Sequence, residues 1–426
     1  LVMPKFVIFQ KMMDKINLLT RENLTGVRVI RALNKENYEE KKFKKANDEL
    51  TKTDLSIVRI MQLQTPIMML VFNMTSLFAI WVGVSKLVFD MSYLGKMIAF
   101  MQYATQVIMS FLFLTMLFVL IPRANVSARR INEVLTTKSK ILFPEKSLDV
   151  PGEDAGVEFR HVSFGYKTTE GKILDDINFI AEAGKTTAFI GSTGSGKSTL
   201  INLVPRFYDV IEGQIFINGM EIQKYSEADL INRIGLVPQR GYLFDGTVRS
   251  NILFGAEKES DIQMKKAAKI AQVAEFIEKM PKKYETKISE GGTNVSGGQR
   301  QRLSIARAIA KEPEIYIFDD AFSALDMKTD RNLRKALKKV TEKAVVLVVA
   351  QRINTIREAE QIIVLEQGRI VGKGTHYELL KNCKVYFEIA KSQLSDEELK
   401  VELALIADKV DKKESKIKNV SQEGGN

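Results

Sequence analysis

The chain has 426 residues, 45% of them apolar and 27% charged, with a single cysteine, which suits two or three folded regions with ordinary cores and excludes a disulfide scaffold. Its formal charge of +11 admits nucleic acid as a partner, but 13 Lys or Arg fall within the first 60 residues, directly before a very apolar region. That placement reads as the cytoplasmic flank of membrane spans, so a lipid bilayer is expected as partner and nucleic acid is not.

The chain opens at Leu1 with neither an initiator methionine nor a recognisable signal peptide, so part of an N-terminal region is expected to be missing. Residues 9–63 are long, charged and compatible with helix. Ile16, Leu19, Leu24, Val27 and Ile30 recur at roughly helical spacing. Gly26, within LTGVRVI, marks either a break between two helices at the tip of a cytoplasmic hairpin or a tolerated glycine in one surface helix.

From Thr65 the chain runs TPIMMLVFNMTSLFAIWVGVSKL, uncharged until Lys86, and a second uncharged stretch lies between Lys96 and Pro122. About 20 such residues cross a hydrocarbon core as a helix, so spans are expected at about 65–85 and 97–121. The short link between them puts residues 1–60 and everything after Arg123 on the same side, which the basic flanks assign to the cytoplasm. Asn73, Gln102 and Gln106 are expected to face protein rather than lipid, because unpaired amides are costly in hydrocarbon. Residues 1–135 therefore read as the C-terminal part of a transmembrane domain, with 1–62 as a cytoplasmic helical extension.

After a linker rich in Lys, Pro and Gly (136–156), residues 157–393 have the texture of a soluble α/β domain. VEFRHVSFGY and KILDDINFIAEAG read as antiparallel strands, and KTTAFIG as a short strand entering GSTGSGKST, with LINLVPRFY as the helix that follows. Gly191, Ser192, Thr193, Gly194, Ser195, Gly196, Lys197, Ser198 and Thr199 match G-x-x-x-x-G-K-[ST] between the required elements. The glycines let backbone amides turn inward around phosphate oxygens, at a helix N-terminus whose dipole favours anions. Lys197 is expected to reach the β and γ phosphates of ATP and Ser198 to ligate Mg2+.

The metal needs a carboxylate at a neighbouring strand end, which IYIFDD supplies after an apolar run typical of a strand buried on both faces. Asp319 would bind Mg2+ directly or through water, and Asp320 would orient or deprotonate the attacking water. Ser296, Gly297, Gly298 and Gln299 open a helix and form a second plausible anion cradle. One nucleotide does not need two cradles; two chains facing head to tail would use both. The tail after Gln393 can form a short amphipathic helix near 399–410 and then becomes polar enough to be disordered.

From Phe6 to about Gln393 this arrangement resembles the ATP-binding cassette (ABC) exporters: the last two membrane spans of a half-transporter followed by its nucleotide-binding domain. The resemblance implies a partial all-α transmembrane domain joined to an α/β P-loop NTPase domain. It implies that Tyr166 stacks on adenine, that Gly191 to Ser198 form the Walker A loop, and that Gln239 in LVPQR is the Q-loop residue touching the metal. Ser296 to Gln299 become the signature, Asp319 the Walker B aspartate, Ser323 to Asp326 the D-loop, and Glu290 the glutamate that senses the membrane helices. Residues 22–34 become the second coupling helix.

Two positions depart from the family pattern: the catalytic glutamate is Asp320, and the switch histidine after VVLVVA is Gln351. The two histidines, His161 and His376, match neither position and read as structural. Aspartate holds its carboxylate one carbon short, and glutamine cannot acquire a proton. The resemblance then suggests the degenerate-site subunit of a heterodimeric bacterial exporter, binding ATP firmly and hydrolysing it slowly. In that reading a second half-transporter supplies the catalytic Glu and switch His, and this chain lends its signature to the partner's site. The alternatives are a homodimeric exporter working slowly with Asp320, a soluble cassette ATPase of DNA repair or translation, and an importer's ATPase subunit. The cargo, whether small molecule, lipid or peptide, is left open.

Overall fold

The computed structural model describes residues 3–87, 92–148, 156–166, 171–395 and 397–402. The chain divides into two compact units, Leu1–Lys138 and Ser139–Asn426.

The first unit is all helix: α1 (Met3–Ala32), α2 (Glu36–Gln62), α3 (Gln64–Leu87) and α4 (Ser92–Thr136). α1 and α2 form an antiparallel pair. Thr53 donates to Met12 Sδ at 3.4 Å, Lys15 pairs with Glu49 at 3.7 Å and Lys42 with Glu22 at 3.5 Å. Leu19, Ala46 and Ile57 are buried in the first unit, whereas Leu24 and Val27, assigned to the same apolar face by spacing, are exposed.

Gly26 does not break the helix. α1 runs through it to Ala32, and the chain turns at residues 33–35, where Asn34 takes a left-handed φ of 51°. A glycine inside an exposed helix costs only about 1 kcal/mol, and asparagine tolerates the left-handed region better than most residues. Residues 22–34 accordingly form the end of α1 and its turn rather than a helix of their own.

α3 and α4 contain the two uncharged stretches. α4 continues without interruption past Pro122 to Thr136. The two helices approach closely at Gly83, where a Cβ would lie 2.7 Å from Met97 Sδ. Phe78, Trp81, Tyr103 and Phe113 remain exposed, as suits side chains facing lipid. Asn73, Gln102 and Gln106 are exposed as well, so nothing within this one chain covers them. Among the described residues, one helical stretch, Glu36–Val84, meets the length and apolarity needed to cross a membrane. Residues 88–91, in the link between the two stretches, lie outside the described residues.

The second unit begins with linker residues packed onto it. The Arg206 guanidinium lies 4.6 Å from the centre of the Phe143 ring, and Leu148 N donates to Lys224 O at 2.8 Å. Linker residues 149–155 lie outside the described residues. Then follow β1 (Gly156–Phe164), β2 (Leu174–Glu182), β3 (Thr186–Gly191), α5 (Lys197–Leu203), β4 (Glu212–Ile217), β5 (Met220–Glu221), α6 (Glu227–Asn232) and β6 (Ile234–Val237). A helical portion comprises β7 (Gly246–Thr247), α7 (Val248–Ile252), α8 (Asp261–Ile270), α9 (Ala274–Glu278), β8 (Lys287–Ile288) and α10 (Gly297–Ala310). The chain closes with β9 (Ile315–Asp319), α11 (Met327–Lys338), β10 (Val345–Val349), α12 (Ile353–Ile356), β11 (Gln361–Glu366), β12 (Arg369–Gly374), α13 (His376–Asn382) and α14 (Lys384–Gln393).

These strands form an antiparallel sheet of order β2-β1-β4-β5 and a larger sheet of order β12-β11-β3-β10-β9-β6, parallel except at β12. β9 and β10 are buried at every position because both faces of the parallel sheet are covered. Alternate residues feed two cores. Ile317, Leu347 and Phe189 join β1, β2 and α5 on one face, while Phe318, Val348 and Ile190 meet α8, α10 and α13 on the other.

The helix expected over LINLVPRFY starts earlier, at Lys197, and ends at Leu203. Pro205 follows, and Arg206 adopts φ 55°, a conformation no right-handed helix continues through. At the other end, Leu399 and Glu402 are buried; the tail beyond Glu402, including most of the expected amphipathic helix, lies outside the described residues.

Candidate nucleotide site

The parallel sheet delivers the site residues at the carboxyl ends of its strands, where α/β folds place their ligands. β10 pairs with both β3 and β9, in register Val349 to Phe189 and Val349 to Asp319. The loop after β3, the acids ending β9 and the residues following β10 therefore converge by construction.

The loop from Gly191 to Gly196 has the shape its composition demands. Gly194 and Gly196 adopt φ of 82° and 98°, which side-chain-bearing residues rarely take. A Cβ on Gly196 would also stand 2.6 Å from Leu174 Cδ2. Gly196 is the N-cap of α5, so the loop's amides and the helix N-terminus face the same space. Ser192 and Thr193 form the open part of the loop with Gly194, and all three are exposed. Lys197 is buried and curls back over the loop, its Nζ donating to Gly191 O at 2.9 Å and Ser192 O at 2.7 Å. Burial holds its pKa below the ordinary lysine value, against the opposing pull of Asp320 and Asp319.

Ser198 Oγ donates to Asp319 Oδ1 at 3.0 Å, which joins the two residues expected to bind Mg2+. Gln239, the third expected ligand, reaches the neighbouring acid instead, its Nε2 lying 3.4 Å from Asp320 Oδ2. Both acids are buried, and burial pushes their pKa values up. Two adjacent carboxyl groups short of water call for a cation. Hydroxyl, carboxylate and amide oxygens are the hard donors magnesium takes, so these residues fit Mg2+ together with ATP phosphate oxygens. Among the described residues no group of three His, Cys, Asp or Glu could hold a metal by itself.

Asp320 sits in the left-handed region at φ 47°, a strain of order 1–3 kcal/mol that persists only where surroundings enforce it. Its N donates to Val349 O at 3.0 Å, and Ser323 Oγ donates to its carbonyl at 2.8 Å. The side chain is tied as firmly: Gln351 Nε2 donates to Oδ2 at 2.9 Å, the same oxygen that Gln239 approaches. Gln351 and Asp320 thus belong to one hydrogen-bonded unit, a coupling that their separation of 31 residues conceals.

Tyr166 stands beside the loop, its hydroxyl 3.3 Å from Thr199 Oγ1 and its ring edge-on to Tyr208 at 5.1 Å. Tyr208 is a neighbour that sequence reasoning did not single out. Ser296, Gly297, Gly298 and Gln299 open α10 as expected. Ser296 Oγ accepts from Gln299 N at 3.3 Å and Gln299 Oε1 accepts from Ser296 N at 2.9 Å, a reciprocal cap. No described hydrogen bond joins them to the Gly191–Thr199 loop of the same chain. Glu290 is exposed, and Asp326 caps α11 by accepting from Thr329 N at 3.0 Å. His161 is exposed beside Asp176, and His376 is buried against Tyr386.

Residues 174–323 match the ABC transporter family, and residues 7–111 match the ABC transporter transmembrane region. An uncharacterized ABC transporter ATP-binding protein of Mycobacterium tuberculosis is 41% identical over 396 residues, covering 92% of this chain and 68% of that protein. An ATP-dependent lipid A-core flippase of Syntrophus aciditrophicus is 34% identical over 390 residues, 92% of this chain and 65% of the flippase. The solved structure of a bacterial Atm1-family ABC exporter with ATP bound superposes with a TM-score of 0.80 at 28% identity, covering 93% of this chain and 71% of the other.

These likenesses correct the expected quaternary arrangement. The chain is similar to an Atm1-family ABC exporter and to ATP-dependent lipid A-core flippases, and none of these likenesses points to a subunit that needs an unlike partner. It is not marked as the degenerate-site subunit of a heterodimer, and a partner supplying a catalytic Glu and switch His is not indicated. Asp320 and Gln351 were the sole grounds for that partner, and in the fold they bond to each other in one intact pocket. With its helical membrane-associated region followed by an α/β P-loop ATPase domain, the chain belongs to the ABC transporter family.

Proposed function

We propose that this chain is half of an ATP-driven exporter that works as two identical copies, spanning a bacterial cytoplasmic membrane several times with its nucleotide domains in the cytoplasm. Each copy carries its own hydrolytic group, Asp320, and turns ATP over slowly. The observation that carries this reading is the bond from Gln351 Nε2 to Asp320 Oδ2 at 2.9 Å, beside the Ser198–Asp319 contact at 3.0 Å.

In this mechanism Lys197 leaves the loop carbonyls and turns its ammonium to the β and γ phosphates, while the loop amides hold the remaining oxygens. Tyr166 stacks on the adenine. Ser198 and Asp319, with the amide oxygen of Gln239, would hold Mg2+, which would supply charge neutralisation on the phosphates. Asp320 accepts the proton of the attacking water as its oxygen bonds to the γ phosphorus and the bond to the ADP oxygen breaks. Gln351 keeps the Asp320 carboxylate placed but brings no charge of its own. Ser296 to Gln299 close the second copy's site, which explains a cradle unused within one chain.

Slowness follows from reach. Asp320 carries its carboxylate one methylene short, and a misplacement of about 1 Å costs roughly 100-fold in rate. Binding uses other groups and is unaffected. Closure of two copies around two ATP molecules drives the membrane helices, because ATP binds the closed pair better than the open one. The test is phosphate release from the full-length protein reconstituted in liposomes as the only subunit. Slow turnover that Asp320→Asn abolishes supports the reading; turnover untouched by Asp320→Asn refutes it.

A further inference from the structure

Gln351 touches the Asp320 carboxylate, and its own backbone is held by a residue that no part of the mechanism uses. Gln393, the final residue of α14, donates from Nε2 to Gln351 O at 2.7 Å and accepts at Oε1 from Ile353 N at 2.9 Å. The two partners flank Arg352 in the segment by which the chain leaves β10. One side-chain amide thus engages the backbone on both sides of that residue, as a neighbouring strand would.

The same segment is anchored again further on. Arg357, just beyond α12, pairs with Glu402 at 2.8 Å, and the Glu402 side chain is buried. Residues 351–357 are therefore tied at both ends to the C-terminal part of the chain, 42 residues away in the bond from Gln393 to Gln351. Further along, Arg334 donates to Thr355 O at 3.1 Å, and Ile353 and Ile356 are buried in the core; at its start, the carbonyl of Gln351 is held by Gln393. A shift of the backbone there carries Gln351 Nε2 away from Asp320 Oδ2.

We infer that Gln393 is a positioning residue for hydrolysis: its amide clamps the Gln351 loop and so sets where the Asp320 carboxylate stands. The inference rests on the reading of Asp320 as the hydrolytic group. Gln393 itself is exposed and lies at a helix end, so replacing it removes two hydrogen bonds without opening the core. Gln393→Ala removes both arms, and Gln393→Met removes them while keeping the aliphatic stem. Gln393→Glu keeps the acceptor for Ile353 N but cannot donate to Gln351 O.

The experiment measures kcat and KM for ATP with the full-length protein in liposomes, together with the thermal midpoint. Gln393→Ala and Gln393→Met are expected to lower kcat roughly 10-fold, the scale of a sub-ångström misplacement, with KM within about two-fold. Gln393→Glu is expected to fall with them. Gln351→Ala combined with Gln393→Ala is expected to be no slower than Gln351→Ala alone, because both act on one contact. An unchanged kcat in Gln393→Met overturns the inference, as does a double variant in which the two losses multiply. A loss seen in KM or in the thermal midpoint while kcat holds also overturns it. Failure of the Asp320 reading gives a different signature, full turnover in Asp320→Asn.

Discussion

Replacing Asp320 with glutamate tests the geometric argument from the side of gain. The Asp320 carboxylate is drawn toward Gln351 at 2.9 Å and Gln239 at 3.4 Å, and one more methylene advances it by about 1.5 Å. If reach alone limits the rate, recovering about 1 Å restores roughly 100-fold, equivalent to about 2.7 kcal/mol of barrier. The change has a separate cost, because φ of 47° at this position suits aspartate better than glutamate. That cost of order 1 kcal/mol falls on stability, not on turnover. The assay is steady-state phosphate release from the full-length protein in liposomes, read with a melting curve. A kcat that rises by at least about ten-fold with KM unchanged agrees with the account. A kcat that stays level or falls in a protein that still binds ATP refutes the reasoning from reach.

Three further outcomes are expected. Ser198→Ala removes an oxygen 3.0 Å from Asp319 and should raise the Mg2+ concentration for half-maximal turnover by about ten-fold, while ATP binding without metal changes little. Gly196→Ala places a methyl 2.6 Å from Leu174 Cδ2 at φ 98°; it should cost about 1–3 kcal/mol in unfolding free energy and abolish retention of a fluorescent ATP analogue. Buried His376, with Tyr386 on Nδ1 at 2.7 Å and Glu402 and Arg357 nearby, has its pKa lowered by burial. The folded unit therefore takes up this proton less readily than the unfolded chain, so stability present above about pH 6.5 declines as pH falls toward the lowered value. Melting curves from about pH 7.5 to about pH 5.5 should show that decline, and His376→Asn should flatten it.

Much of this was legible in the residues. The glycine loop, the acid pair and the apolar strands were readable because each obeys a strong local constraint: left-handed turns need glycine, and a sheet buried on both faces needs unbroken apolar strands. The two uncharged stretches were equally plain. The turn between α1 and α2 was not, since Gly26 advertises a break that an exposed helix tolerates, while Asn34 does not advertise one. The end of α5 was misplaced because apolar residues continue past Leu203, and Pro205 with Arg206 at φ 55° outweighed them.

The site was legible residue by residue but not as a network. That Gln351 bonds Asp320, and that Gln393 holds Gln351, depends on strand register and on a helix that returns from 42 residues away. Two unusual residues in one pocket say how that pocket works. They do not say what chain stands opposite, and the inference of an unlike partner overreached for that reason.

The most direct test of the central claim is ATP turnover by the full-length protein reconstituted with no other subunit, compared with its Asp320→Asn variant. The account predicts slow, measurable hydrolysis in the unsubstituted protein and none above background in the variant. Equal rates in the two, or no hydrolysis in either while ATP binds, would contradict it.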